Sequence, residues 1–110
     1  MLKINGRDYE LKFDINVMCK MAGAGIDVMQ DGIDRISSSL PNLRKAFFYG
    51  LTHENKKLTE AKAGDLMTEF LKAGNSISDV MEEVITALSF ALGLEEDKED
   101  ENEVVKEEGK

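Results

Sequence analysis

The dipeptide Asn5-Gly6 constrains the fold of this chain more than any other feature of its sequence. A two-residue type I′ turn needs positive φ at both central positions, and Asn-Gly is among the dipeptides that favour it most strongly. Apolar and polar residues alternate on both sides of this turn, a pattern typical of half-buried strands. The sequence therefore predicts a β-hairpin over residues 2–13. The predicted register pairs Leu2 with Tyr9, Lys3 with Asp8, and Ile4 with Arg7. The apolar face comprises Leu2, Ile4, Tyr9, Leu11 and Phe13, and the polar face Lys3, Asp8, Glu10 and Lys12.

From residue 14 to residue 93 the apolar residues recur at steps of three and four, which predicts amphipathic helices. Their start signals are Asp14, Pro41, Thr59 and the capping-box pattern Ser76-Ile77-Ser78-Asp79. Their breaks are Gly23-Ala24-Gly25, Ser37-Ser38-Ser39, the polar loop 53–57, Gly74-Asn75 and Gly93. The predicted inward stripes are Ile15, Met18, Cys19 and Ala22; Ile26, Met29, Ile33, Ile36 and Leu40; Leu43, Phe47 and Leu51, with Phe48 at the edge; Ala63, Leu66, Met67, Phe70 and Leu71; and Ile77, Val80, Met81, Val84, Ile85, Leu88 and Leu92.

These elements predict an α+β fold, with an N-terminal β-hairpin followed by about five short α-helices in a single domain over residues 1–94. The helices occupy residues 14–93. An isolated two-stranded hairpin is marginally stable in water, so its apolar face must pack on the helices. Its edges remain open to pairing with another chain.

The C-terminal residues 95–110 hold most of the negative charge. They contain nine acidic and three basic residues, a net charge of −6 out of −8 for the whole chain. Such a segment buries too little apolar area to offset the entropy of ordering, so we expect a disordered acidic tail. The tail would repel nucleic-acid phosphates, and residues 1–94 show no basic stripe, so we expect no nucleic-acid partner.

Other composition signals concern the compartment. No window reaches the roughly 18 uninterrupted apolar residues that a membrane span needs, so we expect no membrane partner. The N-terminus has no basic region followed by an apolar stretch, which argues against secretion. The single cysteine, Cys19, agrees with a reducing compartment.

A search for nucleophiles and metal ligands finds no convincing set. His53 is the only histidine, and Lys57 stands where a zinc-protease motif needs its second histidine. One histidine and one cysteine cannot form an ordinary zinc cage. A Cys19–His53 nucleophilic dyad is formally possible. The ordinary interpretation is that Cys19 is a small buried hydrophobe on its helical stripe.

Two further patterns superficially resemble ligand sites. The carboxylates Asp27, Asp31 and Asp34 have helical spacing, but no histidine accompanies them, and a solvated helix face is the usual explanation. The segment Gly23-Ala24-Gly25 lacks the preceding buried strand and the Gly-Lys-Ser/Thr ending of a phosphate-binding loop. We therefore expect no catalytic, cofactor-binding or metal-binding residues.

Large side chains outside the stripes predict a protein-binding surface. At about 100° per residue, Phe90 and Leu94 fall on the side of the last helix that carries Glu83, and Tyr49 opposes the stripe of its own helix. A lone aromatic residue on a charged face points to a partner, and a wider buried face is the alternative. We expect Phe90, Leu94 and Tyr49 to bind a partner protein. Five methionines lie on or next to the stripes, where core packing is the default and a binding groove the alternative: Met18, Met21, Met29, Met67 and Met81.

The order of these parts resembles the tail assembly chaperones of siphophages and related prophages. The opening Ile4-Asn5-Gly6-Arg7-Asp8-Tyr9-Glu10-Leu11-Lys12-Phe13, or I-N-G-x-x-Y-x-L-x-F, is the most recognisable part. Residues 2–94 resemble the family throughout. The family has no functional motif whose residues could be carried over, so the resemblance implies a role and not a site.

That role is to bind the tape measure protein, a long, largely helical and apolar chain, and keep it soluble while tail tube subunits polymerise around it. The resemblance further implies self-association, a place in the host bacterial cytoplasm, absence from the mature virion and, in many members, a longer form made by ribosomal frameshifting. The tail tube protein is a further candidate partner. The main alternative is a small phage or prophage regulatory or inhibitory protein, antirepressor-like or antitoxin-like, and a structural head–tail connector is a third.

Overall fold

The hairpin forms with the predicted register. In the computed structural model, which describes residues 2–93, strands β1 (Leu2–Ile4) and β2 (Arg7–Tyr9) are antiparallel. Asn5 and Gly6 have φ of 53° and 79°, as a type I′ turn requires. The three pairs are Leu2 with Tyr9, Lys3 with Asp8, and Ile4 with Arg7. Nζ of Lys3 lies 3.3 Å from Oδ1 of Asp8 across the strands.

The strand pairing is shorter than the predicted span of residues 2–13. After Tyr9 the chain leaves β1, and the backbone of Lys12 donates to the carbonyl oxygen of Gly50, 2.9 Å away. Leu11 and Phe13 are nevertheless buried, as the alternation predicts. We call residues 10–13 the strap, since they connect the hairpin to the helices.

Six helices follow, and the fold class is α+β as predicted. They are α1 (Ile15–Gly23), α2 (Val28–Asp31), α3 (Asp34–Ser37), α4 (Leu40–Leu51), α5 (Glu60–Lys72) and α6 (Ile77–Ala91). The predicted caps are confirmed: the side chains of Asp14, Thr59 and Ser76 each accept a backbone N–H from the first turn of their helix. Asp79 completes the capping box of α6.

One prediction was wrong between residues 26 and 40, where two short helices replace a single long one. Gly32 ends α2 with φ of 74°, which interrupts the helical backbone. Asp27 caps α2 by accepting the N–H groups of Met29 and Gln30. Because the stripe is broken, Met29 is 80% exposed and Leu40 is 62% exposed, whereas both were expected to face inward.

The buried face of α1 also differs from the prediction. Met18 and Met21 are buried, while Ile15 is 65% exposed and Cys19 is exposed. Apolar residues occur on both sides of this helix, so periodicity fits two possible faces. Packing against α4 selects the face that carries Met21.

Helix α4 is the centre of the core. It contacts α1, α3, α5 and α6, while β1 packs against α5. Ala46 and Phe47 are almost completely inaccessible to solvent, and no polar or charged residue among residues 2–93 is buried. Leu94 and the predicted acidic tail, residues 95–110, lie outside the described residues.

Candidate functional site

An open groove of about 700 Å³ lies between the start of α4, one face of α5 and the start of α6. Leu40 comes from the first helix, Met67 and Leu71 from the second, and Ile77 and Met81 from the third. Grooves that bind protein segments or small ligands are mostly lined by apolar side chains with a few polar groups. The composition of this groove fits that description.

Two leucines give the groove its exposed apolar surface. Leu40 is 62% exposed at the start of α4, because the inward positions of that helix are taken by Leu43 and Phe47. Leu71 is 37% exposed near the end of α5, where its neighbour Phe70 is buried instead. Large apolar residues grouped on one surface mark interaction sites more often than singly exposed ones do.

Local capping positions the groove wall formed by α4. The hydroxyl of Ser39 accepts the N–H of Asn42 at 3.4 Å, and Pro41 fits the first turn because it needs no hydrogen-bond donor there. The helix therefore begins at Leu40, and this residue projects beside the serines that precede it. The serine run ends one helix, as predicted, and also begins the next.

Arg44 carries the one charge among the described residues that line the groove. Its Nη2 lies 3.8 Å from Oε1 of Glu60, and both side chains are partly exposed. The arginine stem lies against Gly64 of α5, where a Cβ would stand 3.0 Å from Cδ of Arg44. The small residue lets this long side chain run along the groove.

The three residues predicted to bind a partner have different environments. Phe90 is 76% exposed near the end of α6, away from Ile77 and Met81 at the start of that helix. Tyr49 is half-buried against the core, and its ring meets that of Phe48 with centroids 5.0 Å apart. Leu94 lies outside the described residues. The structure therefore places Phe90 on the surface and ties Tyr49 to α4 packing.

Among the residues considered for chemistry, His53 and Asp31 make contacts within the fold, and Cys19 is exposed. Nε2 of His53 lies 2.8 Å from the carbonyl oxygen of Glu10, which links the end of α4 to the strap. Cys19 is an exposed free thiol, contrary to its expected burial. Asp31 pairs with Arg35 at 3.7 Å. Within residues 2–93, no group of three or more potential ligands could hold a metal ion.

Sequence reasoning missed the groove because it assigned Leu40 and Leu71 to inward stripes. Leu40 carried a usable signal, since the serine run separates it from the stripe that begins at Ile26. The methionines were a second usable signal, because Met67 and Met81 line this groove. A methionine-lined groove was the alternative to simple core packing.

None of the helices within residues 2–93 has the length and apolar character needed to cross a membrane. Comparisons of the chain with models of protein families, with curated proteins and with solved structures find no match.

Proposed function

We propose that this chain is a phage tail assembly chaperone that binds the tape measure protein and keeps it soluble while tail tube subunits assemble around it. In this proposal it acts by protein binding and not by catalysis, in the cytoplasm of the host bacterium. The observation that carries the proposal is the apolar groove with its exposed residues Leu40 and Leu71. The resemblance of residues 2–94 to that family supplies the identity of the partner.

A groove between helices fits an amphipathic helix from the partner. Such a helix would insert side chains at i, i+3, i+4 and i+7 into the surface formed by Leu40, Leu71 and Met81. The apolar area removed from water stabilises the complex by roughly 25 cal/mol per Å² before the costs of association. A largely helical and apolar partner offers many such stripes, and covering them would reduce its aggregation.

The charge of the chain supports the same role. Of its net charge of −8, −6 is carried by residues 95–110 of the sequence. A strong net charge of one sign keeps proteins apart in solution. A bound chaperone would therefore confer solubility on an apolar partner.

Co-expression with the long helical protein encoded by the neighbouring gene tests the proposal. We expect the partner to be soluble with this chain and insoluble without it. Leu40→Glu should weaken the effect, because a carboxylate would replace an exposed apolar side chain in the interface. Met29→Glu is the matched control, since Met29 is 80% exposed and does not line the groove.

The outcomes separate the proposed function from its alternatives. A partner that stays insoluble with the wild-type chain would contradict a chaperone role. Gene position gives an independent check, because a chaperone gene should lie between the tail tube and tape measure genes. A gene that neighbours a repressor or toxin would favour the regulatory alternative.

A further inference from the structure

We propose that the groove selects a partner helix that carries a carboxylate within its apolar stripe, and that this carboxylate pairs with Arg44. This inference rests on the proposed protein-binding function and specifies the chemistry of the bound segment. It follows from the position of Arg44, from its weak present pairing and from the absence of another charge among the described residues that line the groove.

The position of Arg44 places its charge in line with the apolar contacts. Leu40 and Arg44 are four residues apart on α4, and residues at this spacing share one face of a helix. On α5, Gly64 and Leu71 also line the groove and are seven residues, or about two turns, apart. A helix lying in the groove would therefore meet apolar side chains and, about one turn further along, the guanidinium.

The present partner of Arg44 is easily replaced. The Nη2–Oε1 distance to Glu60 is 3.8 Å, and side chains in this pair retain 45% and 38% of their exposure. Ion pairs of this length and exposure add little stability, because both groups remain hydrated. The carboxylate of an incoming helix could displace Glu60 and approach the planar donors of the guanidinium in a bidentate manner.

Covering the groove favours a matching charge, because the existing contact of Arg44 with Glu60 is long and weak. An apolar helix seated there would remove water from Arg44, and desolvating a charge without a partner is costly. A carboxylate at the facing position offsets that cost, whereas a lysine would repel the guanidinium. The groove thus distinguishes partner helices by the charge at one position of their stripe.

Another protein fits this groove better than residues 95–110 of the same chain or a second copy of the chain. Residues 95–110 are rich in carboxylates but contain only Val104 and Val105 as apolar residues, too few for a helical stripe. In the described part of a second copy, the exposed apolar residues outside the groove lie on three different helices and form no stripe. They are Ile15, Met29 and Phe90.

The test uses the full chain and three labelled 18-residue amphipathic peptides. Each peptide has the same leucine stripe, with Glu, Gln or Lys at one central stripe position. Binding is measured by fluorescence anisotropy. We expect the Glu peptide to bind about tenfold more tightly than the Lys peptide, the range typical of one charge-assisted contact. Arg44→Glu should reverse this order.

Three control variants locate the effect in the groove. Arg7→Glu makes the same charge change on the hairpin and should leave the order unchanged. Glu60→Gln frees the guanidinium and should strengthen binding of the Glu peptide. Leu40→Glu should weaken binding of the Glu and Gln peptides. Circular dichroism melting curves verify that each variant is folded.

Several results would overturn the inference. Equal affinity for the Glu and Lys peptides, or an order that Arg44→Glu leaves unchanged, would show that Arg44 does not select the partner. If no peptide binds and Leu40→Glu dissociates a homo-oligomer, a second copy occupies the groove. A variant with both Val104 and Val105 replaced by serine tests the C-terminal residues. If the peptides bind this variant but not the wild-type chain, the C-terminal residues occupy the groove. With any of these results, the proposed function still stands without this inference if the wild-type chain solubilises the partner in co-expression.

Discussion

At the scale of single residues, exposure separates side chains that stabilise the fold from those available to a partner. Phe47 is almost completely inaccessible to solvent and packs in the core around α4. Phe90 is 76% exposed, so burial of its side chain contributes little to the free energy of unfolding. The two phenylalanines provide a matched pair for measuring stability and binding separately.

Phe90→Ala should weaken partner binding through a contact outside the groove and leave stability nearly unchanged. Truncating an aromatic residue at the centre of an interface costs about 2 kcal/mol or more, roughly thirtyfold in affinity. An exposed position changes the free energy of unfolding by about 0.5 kcal/mol or less. Urea denaturation and partner rescue in co-expression measure the two effects.

Phe47→Ala is the control, with an expected loss of about 3–5 kcal/mol in the free energy of unfolding. A comparable loss in Phe90→Ala would place Phe90 in a buried contact. Unaltered partner rescue would remove Phe90 from the interface and leave the groove as the candidate surface.

At the scale of elements, the strap joins the hairpin to the helices through close contact with α4. The N–H of Lys12 donates to the carbonyl oxygen of Gly50, and Leu11 and Phe13 pack beside this glycine. A Cβ at position 50 would stand 2.8 Å from Cδ2 of Leu11 and 2.8 Å from Cζ of Phe13. Only a residue without a side chain fits there without displacing both neighbours.

Gly50→Ala should therefore destabilise the protein despite the higher helix propensity of alanine. Inserting a methyl group into a packed contact costs about 1–3 kcal/mol. The control is Gly23→Ala in α1, where no heavy atom beyond the neighbouring residues and the local helix backbone lies within 4 Å of the added Cβ. That variant should gain about 0.4–1 kcal/mol. Urea denaturation measures the stability of both variants. A Gly50→Ala variant more stable than the wild type would show that Leu11 and Phe13 of the strap move aside at little cost.

At the scale of the whole molecule, the net charge is distributed unevenly along the sequence. Residues 95–110 carry −6, whereas residues 1–94 carry 13 acidic and 11 basic side chains, a net −2. Within residues 2–93, the buried core residues lie between Leu2 and Leu88, and Ala91 and Leu92 pack against them. The acidic segment is thus expected to serve solubility and not folding.

Ending the chain after Leu94 should leave the melting temperature within about two degrees, because exposed polar termini contribute little to stability. Calorimetry of both chains is the measurement. A cooperative loss of several degrees would show that the acidic segment docks on the domain. Lower solubility of the shortened chain would support its expected role.

The chain should also self-associate, because the hairpin has two strands and its outer edges have no partner strand within residues 2–93. Light scattering at micromolar concentration should give a mass above the 12.3 kDa of one chain. Ile4 and Arg7 flank the two-residue turn as a hydrogen-bonded pair, so the next pair, Lys3 and Asp8, is not hydrogen-bonded. The N–H of Lys3 therefore points away from β2, toward the open edge of the hairpin.

Lys3→Pro removes that outward donor and should reduce association, while Lys3→Ala removes the same side chain but keeps the donor. A strict monomer across the concentration range would contradict self-association. Equal masses for both variants would place the contact away from this edge.

The sequence by itself determined the features that depend on local interactions. The hairpin register follows from Asn5-Gly6 and an alternation of period two, because a slip of one residue would turn every apolar side chain outward. The caps at Asp14, Thr59 and Ser76 follow from side chains that accept nearby backbone N–H groups. The α+β class follows from these local elements taken in order.

The tertiary structure alone decided which of several possible apolar faces is buried. Helix α1 has two such faces, and contact with α4 selects the one with Met21 and leaves Cys19 exposed. The turn at Gly32 redirects the stripe that would have buried Leu40. The groove depends on the separation of α4, α5 and α6, and periodicity within one segment carries no information about distances between segments. Its position therefore became visible only when the three helices were packed together.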